Sequence, residues 1–313
     1  MKKILKIITF FCAFSVLGLV QGETKATENS IVNSSGIEIT QTEYENLEYL
    51  GFTELAIDQM SQEIFDENKD LTVESKSDVT KYYEIQEITP TKAFSVLTTD
   101  QNPNYKTTEL TEEEYFKRVE AETNSISIFN NGDDTTSTSY RRLNTNILKL
   151  NSTTYRIHSK FVWDKLPVTR SYDVLSTTID SLFTPIQGTN HGQQLYAYTH
   201  PVQGGFYGSN VTYNSSNSNW NKQGAGYGLK MNLIDNTSTL RLTQLEGYAY
   251  YNIQRSSSVV PNYINAFGNY SHAKNTVSNS ISYSLSYGGP AIGWSNVSST
   301  EFDAITTHAQ LQY

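Results

Sequence analysis

Apolar and polar residues alternate along several segments in the second half of the chain. In the clearest of these, Val277 to Tyr287, one face carries mostly Val, Ile, Leu and Tyr, and the other carries five serines. A period of two predicts a strand with one face in a core and the other in water. Further strands are predicted at residues 155–163, 172–179, 227–234, 240–253 and 302–311, with Gly- and Asn-containing turns among them.

These strands define the fold class that we expect for residues 140–313. Many strands with little helical signal are typical of an antiparallel β-sandwich or a related barrel, and we expect the sandwich. The chain as a whole is therefore predicted to be mainly β, with a small acidic α-helical region before the sandwich.

Short helical patterns mark the first half of the chain. Helices this short are unstable alone, so we expect them to pack on each other or on the second half. One strand is also predicted here, over residues 82–88. The helices are predicted to begin at Thr40 with Glu43, at Thr53, at Ser61, and at Thr111 with Glu114.

The first 22 residues have the pattern of a secretory signal peptide. Three lysines supply a positive start, an apolar run follows as far as Val20, and small residues ending at Gly22 offer a cleavage site. The apolar run is shorter than the roughly 20 residues that span a bilayer. We therefore predict cleavage near Gly22 and secretion. The one cysteine, Cys12, lies in this segment, so the exported chain would be free of disulfides.

Acidic residues concentrate in the first half of the chain. Residues 23–139 contain 25 acidic and 8 basic residues, a net charge of −17, whereas residues 140–313 contain 7 and 12, a net charge of +5. This change predicts a domain boundary, with an acidic region over 23–123 and a Ser/Thr/Asn-rich linker over 124–139. Opposite charges further predict that residues 23–139 fold back, as a prosegment or cover, on a basic face formed by Arg156, His158 and Lys160.

Charge and motif content exclude several classes of function. A net charge of −9 argues against a nucleic-acid partner. The five histidines lack metal-ligand spacing, so no metal or other cofactor is predicted. No G-x-S-x-G motif is present. A carboxylate pair for glycoside cleavage would have to come from the seven acids of the second half, which stand in no telling motif: Asp164, Asp173, Asp180, Asp235, Glu246, Glu301 and Asp303.

Aromatic residues mark the candidate binding surface. The second half contains all three Trp and 16 of the 22 Tyr. Aromatic rings beside Ser and Asn side chains are what binding of a sugar or a peptide needs. The densest block, Trp163 to Asp173, also fits a plain strand, a proline-containing turn and a second strand. The candidate ligand-binding residues are Trp163, Arg170, Tyr172, Tyr196, Tyr198 and Trp220.

Two stretches resemble a family of exported hypothetical proteins of Bacillus-like, Gram-positive bacteria. The first is Tyr44 to Thr53, followed by Ile57, Met60, Phe65 and the run Asn68 to Leu71. The second is Trp163 to Asp173, with the ending Arg170-Ser171-Tyr172-Asp173-Val174. The resemblance implies an exported protein in two parts, and it assigns no catalytic residues.

Three hypotheses about function follow from these patterns. The leading one is a secreted, non-catalytic protein that binds a glycan, a cell wall or a protein surface through its Tyr/Trp-rich β domain. The alternative is a pore-forming or bacteriocin-like toxin, whose alternating strands, such as 277–287 and 240–253, would build a membrane hairpin. Only this alternative involves a membrane. A hydrolase without a recognisable motif is the third hypothesis.

Overall fold

The computed structural model describes residues 30–88, 104–124 and 136–313. Antiparallel sheets dominate these ranges, and the helices lie towards the N-terminus, which confirms the predicted fold class. The predicted signal peptide lies outside the described residues, as does most of the predicted linker. The helices are α1 (Gln41–Leu50), α2 (Glu54–Asp58), α3 (Gln62–Asn68) and α4 (Glu112–Asn124), with a short 3-10 helix at Ser299–Glu301.

Seventeen strands are assigned within the described ranges. In chain order they are β1 (Ser30–Val32), β2 (Glu38–Thr40), β3 (Ser75–Ile88), β4 (Asn104–Leu110), β5 (Thr136–Lys149), β6 (Thr154–Lys165), β7 (Tyr172–Ile179), β8 (Phe183–Pro185), β9 (His191–Thr199), β10 (Phe206–Tyr213), β11 (Trp220–Gln223), β12 (Gly226–Asn232), β13 (Arg241–Arg255), β14 (Tyr263–Ala273), β15 (Tyr283–Leu285), β16 (Ile292–Trp294) and β17 (Phe302–Gln312).

Two sheets pack face to face. The larger has the order β10-β9-β13-β6-β5-β3-β4, with β8 also paired to β13, and the smaller has the order β11-β12-β7-β14-β17. Between them, the ring of Phe161 stacks on that of Tyr270 with centroids 4.1 Å apart. The indole nitrogen of Trp163 donates a hydrogen bond to the Tyr270 hydroxyl at 2.9 Å. The alternating apolar side chains of β6 therefore fill the sandwich core.

Helices α1 to α3 and the loops that join them, here called the helical layer, cover the outer face of the larger sheet. Residues of the layer such as Leu47 and Phe52 form one apolar cluster with Tyr248 and Tyr250 of β13. The predicted capping box is present, since Glu43 N–H donates to Thr40 Oγ1 at 3.3 Å and Thr40 N–H donates to Glu43 Oε2 at 2.9 Å. Packing on the sheet stabilises helices that are too short to persist alone.

Polar contacts also join the helical layer to the sheet. Lys160 Nζ donates to the carbonyl of Gly51 at 2.7 Å. The guanidinium of Arg156 donates to Asn68 and, at 3.3 Å, to Glu67. Two of the three residues of the predicted basic face therefore bond to the acidic region. The role of prosegment or cover stays a prediction.

The sheet crosses the boundary predicted at residue 140. Strand β3 pairs along its whole length with β5, and β4 pairs with β3. Residues 136–139, which were predicted to belong to the linker, are the start of β5. The change in charge near residue 140 therefore does not coincide with an edge of the larger sheet, which contains strands from both halves of the chain.

The long strand predicted over Val277 to Tyr287 is mostly irregular. Only β15 is a strand within it, and β15 pairs with β16 as a short hairpin whose Tyr283 packs against the smaller sheet. The serines explain the difference, because Ser278 Oγ accepts from the backbone N–H of Ser280 at 3.2 Å. Such local hydrogen bonds compete with a strand ladder.

Candidate functional site

A cleft of about 760 Å³ lies on the outer face of the larger sheet, beside α2. Its lining combines carboxylate, hydroxyl and amide groups with apolar side chains. The residues that line it are Thr53, Glu54, Leu55, Asp58, Arg142, Val162, Trp163, Asp164, Phe206, Thr243, Gln244, Leu245 and Glu246.

An ion pair lies in the floor of the cleft. Arg142 donates from Nε to Asp164 Oδ2 at 2.6 Å and from a terminal nitrogen to Oδ1 at 3.0 Å. The hydroxyl of Tyr115, on α4, donates to the same carboxylate at 2.6 Å. The two-pronged geometry fixes the guanidinium and the carboxylate relative to each other. Three donors on Asp164 leave this carboxylate well saturated.

Glu246 is the most buried acid of the cleft, with 8% of its surface exposed. Its carboxylate accepts a hydrogen bond from Thr53, the residue that also caps α2. Burial raises the pKa of Glu246, although the Thr53 hydroxyl and the nearby Lys160 oppose the shift. Burial in turn lowers the pKa of Lys160. Glu246 is therefore a group that both accepts hydrogen bonds and takes up a proton more readily than a solvated glutamate.

Phe206 supplies an aromatic ring at the edge of the cleft. It begins β10, and 56% of its surface is exposed. The next residue, Tyr207, is similarly exposed at 52% but does not line the cleft. Successive side chains of a strand point to opposite faces. The pair therefore offers one ring inside the site and one matched ring outside it.

Three of the six predicted binding residues are buried. Trp163 lies in the core between the sheets, Tyr198 donates to the carbonyl of Asp235 at 2.8 Å, and Trp220 donates to the carbonyl of Asn214 at 3.0 Å. Of these, only Trp163 touches the cleft, as part of its lining. Their polar atoms serve internal hydrogen bonds, so the three rings do not form an exposed platform.

The other three predicted residues are partly buried. Arg170 forms an ion pair with Asp235. The ring of Tyr196 meets that of Tyr198 edge to face at 5.6 Å, and Lys230 Nζ lies 5.7 Å from the centre of the Tyr172 ring. Arg170 and Tyr198 thus meet at Asp235, but the six residues do not converge on one site.

Sequence reasoning missed most of the cleft. The sequence patterns marked Trp163 and Asp164 as part of the block Trp163 to Asp173, but they gave Glu246 only as one of seven acids and did not mark Arg142 or Phe206. One signal was available for Glu246, which is the only carboxylate in the otherwise apolar and Tyr-rich run from Leu245 to Ile253. A lone acid on a strand that is otherwise buried marks a candidate functional position, because burial perturbs its pKa.

Neither a metal cluster nor a membrane-spanning helix is found in the described ranges. No group of three or more His, Cys, Asp or Glu side chains there is placed to hold a metal ion. None of the helices in residues 30–88, 104–124 and 136–313 combines the length and the apolar character that crossing a membrane requires.

Comparisons with known proteins find similarity among solved structures. No family model matches the chain, and no curated protein matches it. Among solved structures, the chain is similar to a "Pore forming protein" with a TM-score of 0.27 and 4% identity, over 56% of this chain and 87% of the other. A similarity this low carries no argument about function.

Proposed function

We propose that the protein is a secreted, non-catalytic binding protein that holds a carbohydrate in the cleft beside α2. The observation that carries the proposal is the lining of this cleft, where carboxylates, hydroxyls and an amide lie beside the exposed ring of Phe206. The signal-peptide pattern of residues 1–22 supports export.

The chemistry of the lining favours a sugar over other small ligands. Sugar hydroxyls are donors and acceptors, and Glu54, Asp58 and Glu246 offer acceptor oxygens for them. The aliphatic C–H face of a sugar ring packs on an aromatic ring such as that of Phe206. An anionic ligand is disfavoured, because the guanidinium of Arg142 is already bonded to Asp164.

We expect Phe206→Ala to weaken carbohydrate binding by a factor of about two to ten, since an aromatic contact contributes roughly 0.5–1.5 kcal/mol. Tyr207→Ala is the matched control, because it removes an equally exposed ring from the same strand outside the cleft. A glycan array followed by calorimetry on the ligands found would measure both variants. Equal effects of the two substitutions, or no binding to any glycan, would argue against the cleft as the site.

Glycoside hydrolysis is a second candidate function, favoured by the presence of Glu246 and Asp164 in one cleft. Glu246 is desolvated and has a raised pKa, whereas Asp164 is ion-paired. Two carboxyl groups in different environments are the usual requirement for cleavage of a glycosidic bond. If the protein is a hydrolase, we expect Glu246→Gln to abolish release of reducing sugar while glycan binding persists. If the wild-type protein binds a glycan but does not cleave it, the hydrolase hypothesis is rejected and glycan binding is retained.

A further inference from the structure

Under the helical layer, four polar side chains form one row across three strand pairs of the larger sheet. Asn146 of β5 lies opposite His158 of β6, His158 lies opposite Tyr250 of β13, and Tyr250 lies opposite His191 of β9. The rings of His158 and Tyr250 have centroids 6.2 Å apart, and those of His191 and Tyr250 are 5.7 Å apart. The row therefore joins two histidines through one tyrosine.

Hydrogen bonding in this row is incomplete. Both ring nitrogens of His158, both amide atoms of Asn146 and Nε2 of His191 are buried and have no hydrogen-bond partner among the described residues. The backbone of the helical layer closes over them, because a methyl group added at Gly51 would lie only 2.8 Å from His158 Nδ1. Phe52 seals the same place, with its ring 5.7 Å from that of His158. Neutral imidazoles are tolerated here, but nothing solvates a charged one.

Cations surround His158, and the carboxylates nearby are paired with them. Glu67 of α3 lies 3.3 Å from the Arg156 guanidinium, and Asp78 lies 2.7 Å from Lys76 Nζ. Burial, together with the neighbouring cations, holds the pKa of His158 well below its usual value, and burial lowers the pKa of His191 to about 4. The charged and titratable groups around the row are Lys76 and Asp78 of β3, Arg156 and Lys160 of β6, Glu246, Tyr248 and Tyr250 of β13, and Glu67 of α3.

We propose that the helical layer is an acid-released cover, which leaves the outer face of the larger sheet when His158 and His191 become protonated. The layer is suited to local release, because α1 to α3 are short helices that depend on this face for their packing. The sandwich core lies on the other face of the sheet and does not contain these histidines. Release would uncover the Tyr/His row together with Arg156 and Lys160.

The direction of the pH effect follows from the two lowered pKa values. In the covered state both histidines are neutral at neutral pH, whereas in the uncovered state they titrate near the ordinary value of about 6.5. The uncovered state therefore binds more protons below pH 6.5, and the cover loses stability as the pH falls. Between pH 7.5 and pH 5, each histidine shifts the opening equilibrium by a factor on the order of 30.

Hydrogen exchange of the full-length secreted chain, corrected for the intrinsic effect of pH, tests this proposal. Between pH 7.5 and pH 5, we expect amides of α1, α2 and α3 to lose protection by up to two or three orders of magnitude. Amides of β14 and β17, in the smaller sheet, should keep theirs. Retained protection of the helices at pH 5, or simultaneous loss in both regions, would overturn the proposal.

The double variant His158→Gln/His191→Gln identifies the groups responsible. It removes both titrating rings but keeps polar side chains of similar size, so we expect the exchange of the helical layer to become independent of pH over this range. His308→Gln is the matched control, because His308 is exposed and stacks on Phe267 in the other sheet. A double variant that keeps the wild-type pH profile would overturn the proposal. If this variant does not fold, the wild-type exchange data still test the proposal, because loss of protection confined to α1 to α3 supports it and loss that extends to β14 and β17 contradicts it.

Discussion

Replacement of Asp173 by alanine is expected to lower the free energy of unfolding by about 3–5 kcal/mol. Asp173 is fully buried between the sheets. Its carboxylate accepts from the Tyr270 hydroxyl and, at 3.0 Å, from the backbone N–H of Ala273, and it lies 2.8 Å from His272 Nδ1. Alanine would leave these polar groups without an acceptor, and each unsatisfied buried donor costs about 1–3 kcal/mol. Urea unfolding followed by tryptophan fluorescence would measure the loss.

Asp235→Ala is the control for Asp173→Ala. Asp235 accepts from Arg170 in an ion pair, and 64% of the Asp235 side chain is exposed. Exposed pairs contribute about 0–1 kcal/mol, so the control should stay close to wild type. Equal losses for the two substitutions would show that the buried acceptor is not what stabilises the sandwich. A smaller loss for Asp173→Asn than for Asp173→Ala is also expected, since the amide keeps one acceptor oxygen.

Local sequence patterns predicted those strands of the sandwich in which a run of alternating apolar and polar residues is bounded by clear turn residues. The strand predicted over residues 172–179 coincides with β7, and those at 240–253 and 302–311 match β13 and β17 to within two residues. Capping residues likewise predicted where α1, α2 and α4 begin. Strand periodicity and helix caps are set by residues close in sequence, so the local sequence pattern is enough to predict them.

Features that depend on pairing between distant segments were not predictable in this way. Glu246 lies opposite Val162, and Val162 lies opposite Arg142, so the sheet register brings together residues a hundred positions apart. Strand β9 was missed because both of its faces are covered, and it buries Gln193 and Gln194 where an alternating pattern would show exposed residues. Trp163 and Trp220 were predicted to bind a ligand at the surface, but both are buried. A large aromatic ring suits a core as well as a binding surface, so the residue type alone does not distinguish the two.

The second large effect is expected for Phe52→Ala, which should release the helical layer at neutral pH. Phe52 is almost fully buried, and its ring meets that of Tyr248 edge to face at 5.2 Å and that of Tyr250 at 6.2 Å. Removal of a buried phenylalanine costs about 3–5 kcal/mol. Three short helices cannot absorb a loss of this size without coming away from the sheet. Hydrogen exchange at pH 7.5 should show the loss of protection in α1 to α3 alone.

Tyr49→Ala separates this effect from a general weakening of α1. Tyr49 lies three residues earlier, is 48% exposed, and contacts Lys76 through the face of its ring at 5.1 Å. We expect its removal to cost no more than about 1 kcal/mol, as is usual for an exposed cation–π contact. Because α2 forms one wall of the cleft, Phe52→Ala should also weaken glycan binding, whereas Tyr49→Ala should not. Full protection of the helices in Phe52→Ala would mean that polar contacts such as the Lys160–Gly51 hydrogen bond hold the layer in place.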